Sequence, residues 1–236
     1  MRFWSPEIAD FLVPLKFVCS MDPEKLSEST DPSYELLYID ISSVSLEEGI
    51  KETQLLSFEE APSRARKLVQ NGDTIISTVR TYLKAIAFIE NAEHNWIAST
   101  GFCVLRPNTT KVDAKYLYRA IQSKQFIDAV VACSDGVSYP AINPSVLGKI
   151  EIPVPEIEVQ HTIVEHLEEE LGKIDKIIRS IGGYQAAAQS SEGSFFSTLL
   201  EKRIAIISDA FESVPTKSAL TSSPARLADC KGRRAV

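Results

Sequence analysis

One repeated spacing of apolar residues constrains the fold of this chain more than any other feature. The intervals are 3, 4, 3, 4 and 3 residues along a single run: Val164, Leu167, Leu171, Ile174, Ile178 and Ile181. This spacing puts the six side chains on one stripe of an α-helix, a pattern typical of a helix that packs lengthwise against another helix. Glutamate and lysine residues fill many of the remaining positions, as expected for a solvated exterior. We therefore predict a long, coiled-coil-type helix that begins at about Glu156.

The helical pattern weakens after this seam and then returns. Gly182-Gly183 and the run from Ser190 to Ser194 contain poor helix formers. Apolar residues then resume the same heptad frame at Phe195, Leu199 and Ile206, with Lys202 at the intervening core position. Two arrangements remain open, namely one long helix with a weakened middle or two helices joined near the glycine pair. Helix is expected to end near Glu212 in both.

These patterns divide the chain into three predicted regions. Residues 1–155 combine many short strands with a few helices, which indicates a mixed domain of the α+β class. Residues 156–212 form the long helical region, with a role as a spacer or as a dimerisation surface. Residues 213–236 have the polar, low-complexity composition of a disordered tail.

β-Branched and aromatic runs separated by turn residues predict the strands of the first region. The predicted strands are Tyr34 to Val44, Ile50 to Phe58, Thr74 to Val79, Ala85 to Ile89, Trp96 to Ser99, Phe102 to Leu105 and Lys149 to Val154. Asp113 is predicted to cap an amphipathic helix, and a second helix follows from Phe126 to Ala132. The basic segment from Ala61 to Val69 is interpreted as a short helix or a loop.

Composition excludes several classes of function. The net charge of −7 argues against a simple cationic DNA-binding module, although residues 64–84 carry five basic residues and one acidic residue, a local charge of +4. No apolar run is long enough to span a bilayer, and no signal-peptide core follows Met1, so we expect a cytoplasmic protein without membrane contact. The four cysteines are scattered and the histidines number three, which predicts free thiols and no metal site.

An ordered set of short motifs joins the two structured regions. Gly-x-Ser-x-Pro is followed by Ile-x-x-x-x-Leu, then by Ile-x-Ile-Pro-x-Pro, and then by Glu-x-Gln at the start of the long helix. The residues that form it are Gly136, Ser138, Pro140, Ile142, Leu147, Ile150, Ile152, Pro153, Pro155, Glu158, Gln160, Ile163 and Leu167. This order resembles the specificity subunits of type I restriction–modification systems. The resemblance covers roughly residues 12–210.

The resemblance implies a target-recognition domain that binds double-stranded DNA and reads one part of a split target. It also implies docking of modification subunits, which methylate adenine with S-adenosylmethionine, and of an ATP-driven, Mg-dependent restriction subunit. On this interpretation the chain itself binds no cofactor and catalyses no reaction. Family members usually carry two recognition domains, whereas this chain has one. A homodimer formed through the Val164–Ile181 seam would supply the second domain, and a truncated gene product is the competing explanation.

Several polar residues in the first region are candidate DNA contacts. The strand end and loop around Arg80, Thr81, Tyr82 and Lys84 offer groups for base edges and for phosphates, and Ser99 and Thr100 are weaker candidates. The loop with Ser138 and Tyr139 is either purely structural or faces DNA. Arg64, Arg66 and Lys67 are interpreted as phosphate contacts or as a merely solvated charge run.

Two other classes of function remain as alternatives. One is a small hydrolase that uses Ser138 or Cys133 as its nucleophile, although the Gly-x-Ser-x-Pro motif lacks the final glycine of a nucleophile elbow. The other is a coiled-coil adaptor that does not bind DNA. The sequence lacks a Gly-rich phosphate loop, and Asn143-Pro144-Ser145 lacks the aromatic ending of the adenine-methyltransferase motif.

Overall fold

The structure is a computed structural model that describes residues 4–92, 94–136, 138–180 and 193–214. Its strands are β1 (Leu12–Pro14), β2 (Cys19–Met21), β3 (Glu35–Ile39), β4 (Val44–Ser45), β5 (Gly49–Ile50), β6 (Gln54–Ser57), β7 (Ala65–Leu68), β8 (Thr74–Ser77), β9 (Ile86–Phe88), β10 (Trp96–Ser99), β11 (Phe102–Pro107) and β12 (Glu151–Pro153). Its α-helices are α1 (Ala114–Gln122), α2 (Lys124–Ala132), α3 (Pro144–Leu147), α4 (Ile157–Ser180) and α5 (Gly193–Glu212). Short 3-10 helices occur at Pro6–Phe11, Leu15–Phe17, Ile41–Ser43 and Thr81–Leu83.

Two four-stranded sheets form the centre of the first region. One has the strand order β6-β3-β10-β7 and the other has the order β2-β11-β8-β9. The β3–β10 pair is parallel, and the other pairs within these two sheets are antiparallel. Two small antiparallel pairs, β1–β12 and β4–β5, accompany them. This mixture of short strands and helices confirms the predicted α+β class.

Most predicted elements lie within a few residues of the observed ones. The predicted capping of α1 is confirmed, because the Asp113 carboxylate accepts a hydrogen bond of 2.9 Å from the Tyr116 amide. The prediction for Ala61 to Val69 is wrong, since Ala65–Leu68 is a strand that pairs with β10. The alternation of buried and half-buried residues in β7 is hidden in the sequence, because one of its buried positions is occupied by Lys67.

The buried side chain of Lys67 links the two large sheets. Its ammonium group donates to the Asp22 carboxylate at 2.7 Å and to the backbone oxygen of Phe102, the first residue of β11. The other carboxylate oxygen of Asp22 accepts a hydrogen bond of 2.9 Å from the Val104 amide. A buried ammonium group is tolerated here because its charge is paired and it donates two hydrogen bonds.

The two long helices pack against each other as an antiparallel hairpin within one chain. Leu167 and Leu171 on α4 share a buried cluster with residues near the end of α5, Ile207 and Phe211. Ile174 and Ile178, further along α4, pack instead with Leu199 near the start of α5. Asp175 and Arg203 form an ion pair between these two layers.

The hairpin distinguishes between the two arrangements of the helical region and bears on the predicted homodimer. Within the described residues, helix α4 spans Ile157–Ser180 and α5 packs back along it, which favours two helices over a single long one. The seam side chains are covered in cis, which removes the predicted homodimer through this seam. Val164 is half-buried, and Leu167, Leu171, Ile174 and Ile178 are buried. Ile181 and residues 215–236 of the predicted 213–236 tail lie outside the described residues, whereas Val214 is buried in the core.

Polar contacts fix the start of α4 on the first region. The buried side chain of Gln160 accepts from the Asp113 amide at 2.8 Å and donates to the backbone oxygens of Lys111 and Pro155 at 3.0 and 2.7 Å. Arg119 of α1 contacts Glu168 of α4 through two nitrogens, at 2.6 and 3.0 Å. The glutamine of the Glu-x-Gln motif is therefore a structural residue. None of the helices in the described ranges has the length and apolarity to cross a membrane.

Candidate nucleic-acid interface

Because of the directions in which the strands run, several connecting segments lie at the same end of the two large sheets. Strands β3, β8 and β10 end there, and strands β7, β9 and β11 begin there. The segments that result are 40–42, 62–64, 78–84 and 100–101, and together with the loop 134–141 they are called the loop end below. Every predicted DNA contact except Arg66 and Lys67 belongs to the loop end or directly adjoins it.

Backbone hydrogen bonds tie four of these segments into a row. The Thr100 amide donates to the Arg64 oxygen at 2.7 Å, and the Thr78 amide donates to the Gly101 oxygen at 2.8 Å. The Ile142 amide then donates to the Thr78 oxygen at 2.8 Å. Because neighbouring strands lie about 4.8 Å apart, the three steps of this row cover about 14 Å. That length corresponds to about four base pairs of B-DNA.

The segment from Arg80 to Lys84 is held in an unusual backbone conformation. A single 3-10 turn, Thr81–Leu83, is flanked by two left-handed residues, Arg80 with φ of 49° and Lys84 with φ of 52°. Non-glycine residues adopt this conformation uncommonly, and such outliers concentrate at ligand-binding sites. Tyr82 and Leu83 at the tip are both 51% exposed, so an apolar surface lies between two exposed cations.

The loop 134–141 packs beside this turn. The hydroxyls of Thr81 and Ser134 are hydrogen-bonded at 2.9 Å, and the Arg80 guanidinium lies 5.2 Å from the centre of the Tyr139 ring. The loop needs a glycine at position 136, because its φ of +100° is unfavourable for other residues and an added Cβ would lie 3.1 Å from the Tyr139 oxygen. Asp135 contributes one exposed negative charge.

Arg64 is fixed by two neighbours on the first sheet. Its Nε donates to the Tyr38 hydroxyl at 3.1 Å, and its Nη2 donates to the Asp40 carboxylate at 2.9 Å. Burial opposes ionisation of Asp40, but hydrogen bonds from Ser42 and Tyr38 and the charge of Arg64 outweigh it and lower the pKa of this carboxyl. Contacts with Tyr38 and the charge of Asp40 raise the pKa of Arg64. Burial raises the pKa of the Tyr38 phenol.

The structure separates the predicted contacts into exposed and buried residues. Exposed at the loop end are Arg64, Arg80, Tyr82, Lys84, Thr100, Ser138 and Tyr139. Lys67, Thr81 and Ser99 are buried, with hydrogen bonds to Asp22, Ser134 and the Gly101 amide respectively, and these three are corrected from candidate contacts to internal residues. Arg66 is half-buried with its guanidinium over the Phe58 ring.

Sequence reasoning missed two groups of residues at the loop end. Tyr38 and Asp40 support Arg64, and the Asp40-x-Ser42 spacing could have indicated an Asx turn, which the structure contains at 3.1 Å. Leu83 extends the exposed apolar surface beside Tyr82, and no pattern in the sequence distinguishes it from a core leucine.

The geometry does not favour the hydrolase alternative. Ser138 lies on an exposed loop and not between a strand and a helix. His94 lies at the opposite end of β10 from the loop end, and His161 and His166 lie on α4, so each histidine belongs to an element away from Ser138. Over the described ranges, no group of three or more His, Cys, Asp and Glu residues could hold a metal ion.

Comparisons with known proteins agree with the fold. The model of the type I restriction modification DNA specificity domain matches residues 38–179, which is more than half of the chain. This chain therefore belongs to the family of type I restriction–modification specificity domains.

Two curated relatives are specificity subunits of type I restriction enzymes. HindI of Haemophilus influenzae is 24% identical over 114 residues, or 48% of this chain, and EcoDI of Escherichia coli is 25% identical over 123 residues, or 52% of this chain. The matches cover 25% and 26% of those two proteins, so the chain spans about a quarter of the length of these relatives.

Solved structures show the same fold. The HsdS subunit from Thermoanaerobacter tengcongensis is 32% identical with a TM-score of 0.62, over 71% of this chain and 43% of that one. A chain from work on complex assembly and conformational transition of the type I R-M system is 31% identical with a TM-score of 0.66. That match covers 81% of this chain and 48% of the other.

Proposed function

We propose that this chain binds double-stranded DNA sequence-specifically, as a specificity subunit of a type I restriction–modification complex. Membership of the specificity-domain family over residues 38–179 carries this proposal. The loop end supports it, because the exposed cations and aromatic residues predicted from the sequence lie there side by side. Three of the five basic residues in 64–84, namely Arg64, Arg80 and Lys84, are exposed at this end.

The loop end would divide its contacts between phosphates and bases. Lys84 is an exposed ammonium group without an ion pair within the described ranges, which suits a phosphate. Arg80 and Tyr139 form an exposed cation–π pair, and the guanidinium donors of Arg80 suit a base edge in the major groove. A row of about 14 Å would read about four base pairs within one part of a split target.

The helical hairpin would provide the surface for partner subunits. It extends from the recognition domain as a packed unit and would fix the distance between recognition domains and hold the modification subunits. In this proposal S-adenosylmethionine, ATP and Mg belong to the modification and restriction subunits, and the chain catalyses no reaction itself. The complex would act on DNA in the cytoplasm.

Modified-base sequencing tests the proposal directly. DNA from cells that co-express this chain with its modification subunit is expected to carry methyladenine in a split motif that control cells lack. Co-purification of the two subunits without any new methylation would refute sequence-specific recognition by this chain.

A salt titration of the purified complex tests the position of the interface. Lys84→Ala is expected to weaken binding to all duplexes alike and to reduce the salt slope by about 1. Lys115→Ala is the matched control, because Lys115 is half-exposed, lies 3.6 Å from Glu90 and sits at the opposite end of the sheets. Equal effects of the two variants would contradict the placement of DNA at the loop end.

A further inference from the structure

We propose that Arg64 reads a guanine edge, and that Tyr38 and Asp40 are positioning residues which hold its guanidinium for that purpose. This inference rests on the proposed function and assigns a base-reading role to a residue that the sequence pattern associates with phosphates. The chemical group recognised is the pair of acceptors, N7 and O6, that guanine presents in the major groove.

The hydrogen bonds of Arg64 leave one edge of its planar group available. Nε and Nη2 together form the side edge of a guanidinium, and here both are directed at protein acceptors, the Tyr38 hydroxyl and the Asp40 carboxylate. The end edge consists of one N–H from each terminal nitrogen, and no partner for it exists among the described residues. The Arg64 side chain is 57% exposed, so this edge is open to a ligand. Two parallel donors on a fixed plane match the guanine acceptors in a bidentate contact.

The support beneath Arg64 is itself rigid. Tyr38 is 1% exposed and its hydroxyl also donates to Asp40 at 3.0 Å, which closes a three-residue ring of hydrogen bonds. Asp40 in turn accepts from the amide and the hydroxyl of Ser42, at 3.1 and 2.7 Å. A long side chain on a surface normally samples many rotamers, and this ring removes that freedom before any ligand binds.

The charge distribution favours a base over a phosphate as the ligand of Arg64. Asp40 lies 2.9 Å from the guanidinium and offsets much of its positive charge, which weakens any attraction to a phosphate. Asp40 leaves the two parallel donors of the end edge unchanged, and the arrangement of donors is what distinguishes one base from another. Lys84, elsewhere at the loop end, has the opposite properties, because its ammonium is exposed and has no ion pair within the described ranges.

The position of Arg64 also fits a base contact. Its backbone oxygen accepts the Thr100 amide at 2.7 Å, which places it at one end of the row of four segments. A residue at the end of that row would read a base pair at one end of the half-target. Only one position of the motif should therefore depend on it.

The test compares methylation motifs in cells that co-express the modification subunit with the full chain or its variants. Arg64→Lys keeps the charge and loses the bidentate fork, Tyr38→Phe removes one support, and Lys115→Arg is the control at the opposite end of the sheets. The wild-type motif is expected to contain a guanine that Arg64→Lys relaxes, with discrimination at that base pair falling about tenfold or more. Tyr38→Phe should relax the same position to a smaller extent, while Lys115→Arg leaves the motif unchanged.

The possible failures can be told apart. If the wild-type chain yields no motif, the proposed function itself is wrong. If the wild-type motif appears and Arg64→Lys reproduces it at every position, the assignment of Arg64 is overturned. A uniform fall in methylation by Arg64→Lys with an unchanged motif, or complete loss of methylation, would also overturn it, because phosphate contacts and structural roles affect all sequences alike.

Discussion

The cis packing of the helical seam predicts how this chain unfolds. Leu171 lies at the middle of the seam, is 1% exposed, and shares a cluster with Ile207 and Phe211 of the returning helix. Leu171→Ala would remove a buried side chain from the packed layer between α4 and α5. Such substitutions cost about 2–5 kcal/mol, with the larger values where the neighbours cannot collapse into the cavity. Both neighbours here lie on a helix held by further contacts, so we expect a value in the upper half of that range.

The magnitude converts to an observable shift in thermal stability. For a chain of this size, 1 kcal/mol corresponds to about 2–4 °C in Tm, so Leu171→Ala should lower Tm by about 7–20 °C. Ile177→Ala is the matched control on the same helix, because Ile177 is 42% exposed. Truncation at that surface position should change the free energy of unfolding by no more than about 0.5 kcal/mol.

The assay is thermal unfolding of both variants and the wild type over a hundredfold range of protein concentration. A seam closed within one chain gives a midpoint that does not depend on concentration, whereas a seam shared by two copies gives a midpoint that rises with concentration. A concentration-dependent wild-type midpoint that Leu171→Ala abolishes would refute the cis arrangement. Equal losses for Leu171→Ala and Ile177→Ala would refute the assigned burial.

Three further predictions concern the first region of the chain. Lys67→Met leaves the Asp22 carboxylate without its cation between the two sheets and should cost about 3–5 kcal/mol in urea unfolding, against no measurable loss if the ion pair is dispensable. Asp40→Asn should destabilise the protein at pH 7 but progressively less on acidification. The reason is that a carboxyl with a lowered folded-state pKa contributes stability above its unfolded pKa of about 3.9 and loses that stability as the pH falls through the folded value. A loss of stability that persists at pH 2 would contradict this prediction. A maleimide at pH 7 should label the exposed Cys133 in the native protein, whereas Cys19, whose pKa burial raises to about 12, should react only in denaturant, as peptide mass mapping would show.

Elements with a strong period or a cap were predictable from the sequence. The 3–4 spacing of α4 and the Asp113 cap of α1 depend on neighbouring residues alone, so local pattern is sufficient to find them. Strand β7 was not predictable, because the position that faces inwards carries Lys67 and its partner Asp22 lies 45 residues earlier. A buried ion pair between distant residues leaves no local pattern.

The loop end was predictable in its residue types and not in their orientation. Arg80, Lys84 and Tyr139 are exposed as a binding surface requires, whereas Thr81 lies between Arg80 and Lys84 in sequence and is buried against Ser134. The left-handed conformations at both ends of this turn determine which side chains face outwards. Such conformations at arginine and lysine depend on tertiary contacts, and sequence propensity gives no indication of them.

The burial pattern of α5 differs from the one that the heptad frame predicts. This difference explains why the sequence suggested a second copy of the chain, and not α5, as the partner of the seam. A helix that continued the frame of α4 would bury Ile206 and place Lys202 at a core position, whereas Ile206 is only half-buried and Lys202 is exposed. The buried residues recur instead at intervals of 4, 4 and 4, along Leu199, Arg203, Ile207 and Phe211. This stripe faces α4 in the antiparallel direction, and Arg203 is accommodated in it because it pairs with Asp175. The spacing in α4 therefore indicates that a partner helix exists, and that partner is α5 of the same chain. Any association of two copies would have to use a surface other than the residues described in this seam.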